Sequence, residues 1–258
     1  MGLENHVALV TGAASEIGQA YVKNLLKNRV KVLLCDECVE KCHAIVSEFE
    51  KEFQKINVLS IKCDVTNEEE FENVFKTCMK YFGRLDIVIN NAGVFDESIV
   101  RWSSVVNINY GGVVRGTLLA IKYMGIPNGG IGGTVIQTTS FLVFGGCFSN
   151  TPLYKSTKKY ITDFTKRLGG KRQFGLHGVK LITLCPGFTG TKFPETLNQI
   201  ESVNDSVEHV EDNHGSNNQM ILQDSENVGN ALIIILEQGK NGETWIVEDN
   251  KPPRLVEY

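Results

Sequence analysis

The chain has 258 residues, 42% hydrophobic and 22% charged, with a formal net charge of −4. That length buries a sizeable core as one large α/β domain or two small ones. The acidic balance gives no electrostatic case for nucleic acid, and no apolar run reaches membrane-spanning length. Met1-Gly2-Leu3-Glu4-Asn5-His6 lacks the charged-then-apolar pattern of a signal peptide. Seven scattered cysteines, an odd number, suit reduced thiols better than a disulfide framework, so a cytoplasmic protein is expected.

The first strand is predicted at Val7-Ala8-Leu9-Val10, followed by Thr11-Gly12-Ala13-Ala14-Ser15-Glu16-Ile17-Gly18 and a helical pattern over Gln19 to Asn28. Strand, small-residue turn and helix set backbone N–H groups against a diphosphate. With glycine only at Gly12 and Gly18 the turn does not match G-x-G-x-x-G, and a tight β-α turn with no ligand reads equally well. A second strand, Val32-Leu33-Leu34-Cys35, ends at Asp36. An acidic residue about 20 positions after such a turn suits adenosine ribose hydroxyls, the alternative being a helix N-cap carboxylate. Asp36 with Glu37 would repel a 2′-phosphate, which favours NAD over NADP. Cys35, Cys38 and Cys42 raise a zinc site, but a structural zinc takes four ligands and no second Cys-x-x-Cys pair exists; packing as small hydrophobes is the better reading, and no metal is expected.

A helix over Val39 to Phe53 and a strand over Val58 to Cys63 lead to Asp64-Val65. Asp64 suits either an adenine amino group or a turn. Asn67 is placed to cap a helix reaching Tyr81, with Glu68, Glu69 and Glu70 in its first turn. The strand Ile87-Val88-Ile89 runs into Asn90-Asn91-Ala92-Gly93, which suits a ligand crevice or an Asx-type turn. A long helix is predicted over about Ile99 to Met124. Asn109 inside it is unfavourable unless it holds a π-bulge or a water, or is exposed. Gly129 to Gly133 reads as a flexible connection, since it precedes the strand Thr134-Val135-Ile136-Gln137 instead of following one. That strand ends at Thr138-Thr139-Ser140, and Phe141 to Phe148 is an apolar stretch, either substrate wall or packing.

Tyr154-Lys155-Ser156-Thr157-Lys158 carries the chemistry. In a helix, residues four apart share a face, so Lys158 stands beside the Tyr154 phenol. A cation about 4 Å away, at an effective dielectric of about 20, favours phenolate by up to about 4 kcal/mol, or roughly two to three pKa units. The spacing therefore predicts a tyrosine that works as a general base near pH 7.

Thr-Gly-x-x-x-x-Ile-Gly, Asp36, Asp64-Val65, Asn90-Asn91-Ala92-Gly93, Asn109, Ser140, Tyr154-x-x-x-Lys158 and Pro186-Gly187 occur in the order seen in the short-chain dehydrogenase/reductase family, and the chain resembles that family over most of its length. Leu34-Cys35-Asp36, the Gly-Gly-x-Gly-Gly loop and Leu184-Cys185-Pro186-Gly187-Phe188 are similar to the subgroup of NAD-dependent 15-hydroxyprostaglandin dehydrogenases and insect alcohol dehydrogenases. The resemblance implies that Tyr154 moves the alcohol proton, Lys158 lowers its pKa and holds the nicotinamide ribose, Ser140 fixes the substrate oxygen and Asn109 holds a relay water. It places Gly12, Ser15, Ile17 and Gly18 at the diphosphate, Asp36 at the adenosine ribose and Asp64 with Val65 at the adenine. Asn91, Ala92 and Gly93 would lie along the cofactor, with Pro186, Gly187, Phe188 and Thr189 closing over the nicotinamide.

Three departures stand out. Glu16 occupies a position where the family usually carries glycine, so its carboxylate either repels phosphate or points to solvent. Ser140 lies fourteen residues before Tyr154 where thirteen is commoner, so Thr139 is a rival for its place. Thr151 replaces the glutamine that prostaglandin enzymes carry three residues before the tyrosine.

After a sixth strand, Val179 to Leu184, composition shifts. Asn198 to Asn218 is rich in Glu, Asp, Asn and Ser, where the family places its substrate lid; the lid is expected at about 189–224, led in by Phe188 and Phe193. His209 and His214 there suit a solvated loop better than a metal site. A helix from Ser225 to Leu236 and a strand Thr244-Trp245-Ile246-Val247 follow, and the tail from Lys251 to Tyr258 is expected to fold over a neighbouring surface. About seven strands alternating with helices imply one Rossmann-like, doubly wound parallel sheet with helices on both faces, spanning 1–258 as a single domain. The leading expectation is an NAD-dependent enzyme interconverting a secondary alcohol and a ketone on an apolar small molecule, as a homodimer or homotetramer. The alternative is a scaffold of the same fold that binds a lipid or partner without turnover, for which Glu16 is the support.

Overall fold

Alternate residues of the central strands feed opposite faces of one sheet, as the period of two in a strand requires. In β1 (Val7–Thr11), Ala8 and Val10 pack with Tyr21, Val22 and Leu25 of α1 (Glu16–Lys27), while Val7 and Leu9 pack with Phe71, Val74 and Phe75 of α3 (Glu68–Phe82). The same alternation runs through β2 (Lys31–Asp36), β4 (Ile87–Asn90), β5 (Gly133–Thr138) and β6 (Val179–Pro186). With β3 (Val58–Lys62), β7 (Thr244–Val247) and β8 (Arg254–Leu255) the sheet has eight strands in the order β3-β2-β1-β4-β5-β6-β7-β8. All pairings are parallel except β7 with β8. The computed structural model describes residues 2–53, 57–98, 100–144, 151–190 and 222–257.

Local signals set most boundaries. The Ser15 hydroxyl accepts from Gly18 N at 3.1 Å, so α1 opens at Glu16, three residues before the expected start. Asn67 caps α3 as predicted, its Oδ1 accepting from Glu69 N and Glu70 N. α2 (Val39–Glu52) and α8 (Ser225–Gln238) fall close to their expected spans, and α6 (Pro152–Leu168) contains the helical turn expected at Tyr154 to Lys158. The Gly129 to Gly133 stretch is the connection the sequence suggests, with φ of 85° at Gly129 and 80° at Gly132.

Three elements differ from expectation. The long helix is divided into α4 (Trp102–Val106), a π-helical segment (Asn107–Gly112) and α5 (Val113–Met124); Ile99 lies outside the described residues. The short α7 (Lys171–His177) was not foreseen, because a seven-residue run with an internal glycine has no readable periodicity. The tail adds an antiparallel strand, with Trp245 opposite Leu255 and Ile246 opposite Arg254. Of the expected lid, 189–190 and 222–224 are described; Phe193, His209 and His214 lie outside the described residues, as do the last residues of the apolar stretch after Phe144. Among the described residues no helix is long and apolar enough to cross a membrane.

Candidate active site

The strand order reverses between β1 and β4, and the carboxyl ends of β1, β4, β5 and β6 open there into a crevice. Thr11 and Asn91 build its floor. The Thr11 hydroxyl accepts from the backbone N–H of Asn91 and Ala92, both at 3.0 Å, and donates to Ile89 O at 3.3 Å. Asn91 Nδ2 returns bonds to Thr11 O (3.1 Å) and Gly12 O (3.0 Å). This approach leaves no room for a side chain at Gly12, which has φ of 60° and where a Cβ would stand 2.7 Å from Ala92 Cα. Gly18 is equally tight, a Cβ there lying 2.3 Å from Gly12 O. The glycines thus serve the packing of turn, helix and strand end. Sequence alone assigns Thr11 no role; a hydroxyl closing the first strand is its one local hint.

Asp36 ties the turn after β1 to the start of α2, where Cys38, not Asp36, is the N-cap. Its Oδ1 accepts from Cys38 N at the start of α2 (3.0 Å), and its Oδ2 accepts from Ala14 N in the turn (3.1 Å). Asp64 Oδ1 accepts from the backbone and hydroxyl of Thr66, both at 2.8 Å, a turn role. Val65 is buried against Gly112, where a Cβ would meet its Cγ2 at 2.8 Å. Cys35 and Cys42 are buried, and the Cys35 thiol donates to Val10 O.

A cavity of about 320 Å³ runs from Ser15, Glu16 and Ile17 at the head of α1 past Asn91 and Gly93 to Ser140, Tyr154 and Lys158, with Pro186, Gly187 and Thr189 on the far wall. Gly12, Gly18, Asp36, Asp64, Val65, Ala92, Asn109 and Phe188 are not among the residues lining it. Phe188 packs edge-on against Phe141, with ring centroids 4.8 Å apart. Val94 and Phe95 line the cavity and were missed in the sequence, since nothing local distinguishes them from other loop residues.

Tyr154 and Lys158 lie one turn apart on α6, and both are buried. Lys158 Nζ donates to Thr138 O at 3.1 Å and stands 5.6 Å from the centre of the Tyr154 ring. Phe95 packs edge-on against the same ring at 5.1 Å. The Ser140 hydroxyl is a hydrogen-bond partner of the phenol, whereas the Thr139 hydroxyl faces Cys185 Sγ at 2.9 Å. Ser140, not Thr139, therefore faces Tyr154.

The expected acidification of the phenol is not what this arrangement gives. Burial pushes the Tyr154 phenol above its ordinary range, and the Ser140 hydrogen bond offsets only part of that. The same burial pushes the Lys158 ammonium down to about 8. Withdrawal from water disfavours the charged form of each group.

Asn109 is fully buried in the π-helical segment. Its Oδ1 accepts from Val94 N and its Nδ2 donates to Val94 O, both at 2.8 Å, with a further bond from Nδ2 to Thr157 Oγ1 at 3.3 Å. Both amide hydrogens are used, so the side chain clamps the loop after β4. That clamp accounts for the mid-helix asparagine and for the π turn around it.

A parallel doubly wound sheet with a buried Tyr-x-x-x-Lys pair at its switch point defines a nicotinamide-linked oxidoreductase class. The short chain dehydrogenase family model matches residues 6–202, and the chain belongs to that family. The chain is 33% identical over 262 residues to the NAD(+) 15-hydroxyprostaglandin dehydrogenase of Rattus norvegicus, a match covering 100% of this chain and 96% of that protein. Among solved structures, levodione reductase superposes with a TM-score of 0.79 at 23% identity, covering 95% of this chain and 96% of that one. The NADPH-dependent 3-quinuclidinone reductase from Rhodotorula rubra gives 0.78 at 21% identity, covering 96% and 92%. These two likenesses concern the fold alone.

Proposed function

We propose that the chain interconverts a secondary alcohol and a ketone on an apolar small molecule, with NAD as its nicotinamide cofactor. The observation that carries this is the meeting of Ser140, Tyr154 and Lys158 on one wall of the cavity that begins at the head of α1. The residues present fit a dinucleotide. At Gly93, which lines the cavity, a Cβ would stand 3.2 Å from Lys158 Nζ and 3.3 Å from Asn109 Oδ1, so a bare backbone keeps the channel open. The head of α1 with Ser15 and Ile17 would receive the diphosphate. Asp36 would take the adenosine ribose, Asp64 and Val65 the adenine, Asn91 to Gly93 the middle of the cofactor, Lys158 the nicotinamide ribose, and Pro186 to Thr189 the nicotinamide face.

When bound, NAD supplies the hydride acceptor or donor. The protein's part is the proton. Tyr154 holds its own proton at neutral pH because burial disfavours the phenolate, which suits donation to a ketone oxygen. In the alcohol direction the phenol has to give up its own proton before it can accept the substrate's, and Lys158, neutral above about pH 8, is the neighbouring base able to take it. Ser140 would fix the substrate oxygen against the phenol.

Asp36, followed by Glu37 with no adjacent Lys or Arg, supports NAD over NADP. Val94 and Phe95 on the cavity wall, with Phe188 between the lining residues Gly187 and Thr189 and packed on Phe141, support an apolar substrate of lipid, terpenoid, steroid or hydroxy-fatty-acid type. The 15-hydroxyprostaglandin named for the rat relative falls in the last class. Trp102, Leu118 and Tyr160, exposed on α4, α5 and α6, support a homodimer or homotetramer, and the thiol-rich composition supports the cytoplasm. A substrate lid over about 189–224 belongs to the same reading. A second reading, lipid or partner binding without turnover, draws on Glu16, which is exposed at the cavity mouth on the first residue of α1. Screening secondary alcohols for NADH fluorescence separates the two. Tyr154→Phe is expected to lower kcat by at least about 100-fold with NAD affinity nearly kept. Substantial residual turnover would remove Tyr154 from the mechanism.

A further inference from the structure

We propose that Glu97 is a positioning residue for the Tyr154 proton transfer, an inference that rests on the role of Tyr154 given above. Helix α6 begins with a weak N-terminus: Pro152 at its first position has no N–H, and Thr151 at the N-cap makes no side-chain capping bond. The next two amides are held from outside. Leu153 N donates to Glu97 Oε2 at 3.0 Å and Tyr154 N donates to Glu97 Oε1 at 2.8 Å. A carboxylate that receives two N–H groups at a helix N-terminus makes charge-assisted bonds and opposes the positive end of the helix dipole. The cap is supplied from 56 and 57 residues away, out of the loop after β4.

That loop is tied to the site at every step. Gly93 and Val94 line the cavity, Val94 is clamped by Asn109, and Phe95 packs edge-on against the Tyr154 ring. Glu97 closes the circuit by gripping the backbone of Tyr154 itself. The phenol's height in the crevice is thereby coupled to the cavity wall, although Glu97 is not among the groups lining the cavity. The adjacent acid has other work: Asp96 accepts from Ser98 N at 2.8 Å and pairs with Arg101 at 3.5 Å. Displacement of a reacting group by about 1 Å is enough to cost about 100-fold in rate, so a lost cap would be felt in kcat before it is felt in cofactor binding.

The test compares Glu97→Ala and Glu97→Gln with the parent chain. Glu97→Ala removes both acceptors, while Glu97→Gln keeps one oxygen at the same reach. Three quantities are measured: kcat and KM on the best secondary alcohol, NAD dissociation by fluorescence titration, and backbone amide exchange over 151–158. In Glu97→Ala, kcat is expected to fall about 10- to 100-fold with the NAD dissociation constant within about threefold, and exchange at Leu153 and Tyr154 to quicken. Glu97→Gln should recover part of the kcat. Faster exchange with kcat kept within about threefold overturns the proposal, because the cap would then be structural only. A loss of kcat matched by a loss of NAD binding, with no recovery in Glu97→Gln, also overturns it. Should Glu97→Ala fail to fold, Glu97→Gln decides on its own: partial loss of kcat with NAD binding kept supports the role, and parental kcat despite faster exchange removes it. A parent chain without Tyr154-dependent turnover sinks the underlying function together with this role, whereas a parent that turns over beside an equally active Glu97→Ala sinks this role alone.

Discussion

Lys158 carries an unusual cost for a functional group. Its pKa lies near 8 in the fold against 10.5 for an ordinary lysine, and the cause is burial. Between about pH 8 and 10.5 the unfolded chain therefore binds more protons at this site than the folded one, so stability rises with pH across that window. Below pH 8 the fold bears the whole penalty, about 3 kcal/mol for two and a half units. Replacing the ammonium by an apolar group of similar length removes that penalty but also loses the bond to Thr138 O, worth about 1 kcal/mol. Lys158→Met is thus expected to be more stable than the parent by about 2 kcal/mol at pH 7 and to lose that advantage by about pH 10.5, while turnover disappears. Urea titrations at the two pH values check it, and equal stability at pH 7 would mean the ammonium is better solvated than its burial implies. Glu16 makes the other residue-scale prediction. Its backbone lies outside the left-handed region, so the side chain is accommodated without strain and its effect is electrostatic. Glu16→Gly is expected to tighten NAD binding by about three- to tenfold, read by calorimetry. An unchanged dissociation constant would show that the carboxylate turns harmlessly to solvent.

At the scale of elements, the π-helical segment is where the chain departs most from its own local preference. An unbroken helix satisfies the apolar pattern from Trp102 to Met124, but the Asn109 amide is drawn inward to Val94 N and O. Those two bonds join the loop after β4 to the helix layer. Asn109→Leu strips both and leaves backbone groups of Val94 without partners. The expected loss is about 2–3 kcal/mol in denaturant titrations, with a fall in kcat because Phe95 and Glu97 lie on the released loop. Unaltered stability would show that water replaces the amide at no cost. The helices with strong end signals, such as α3 behind Asn67, were readable in place. The π segment was only one of several possibilities for Asn109, and α7 was invisible, since neither is decided by spacing within its own window.

For the molecule as a whole, the sheet ends on a short antiparallel strand instead of a bare parallel edge. β8 covers part of β7, and the surrounding tail is tied down by Asn227 Nδ2 to Lys251 O at 3.1 Å and by Arg254 to Glu248 at 2.7 Å. Removing residues 251–258 would expose the β7 edge as a template for another chain. The truncated chain is expected to melt about 3–6 °C lower and to associate with rising concentration, measured by thermal scan and size-exclusion chromatography. A monodisperse chain with a parental melting temperature would show that β8 is dispensable. Because Gly187 packs against Glu248, where a Cβ would stand 2.6 Å from its Cβ, loosening this corner also reaches the far wall of the cavity.

The order of strands and helices, the doubly wound sheet and the shared face of Tyr154 and Lys158 all follow from local periods of two and 3.6 residues, which any window of sequence contains. The glycine turn, Asp36 and the Asn91 corner were legible because their spacing is short and measured from a strand end. Other features needed the assembled fold. Burial reversed the expected shift of the Tyr154 phenol, the neighbouring strand took Thr139 and left Ser140 to the tyrosine, and the Asn109 side chain was drawn onto Val94. Glu97 reached the head of α6 from 57 residues away. Each of these depends on how much water is excluded, or on which distant segment arrives, and neither quantity is written in the residues on either side.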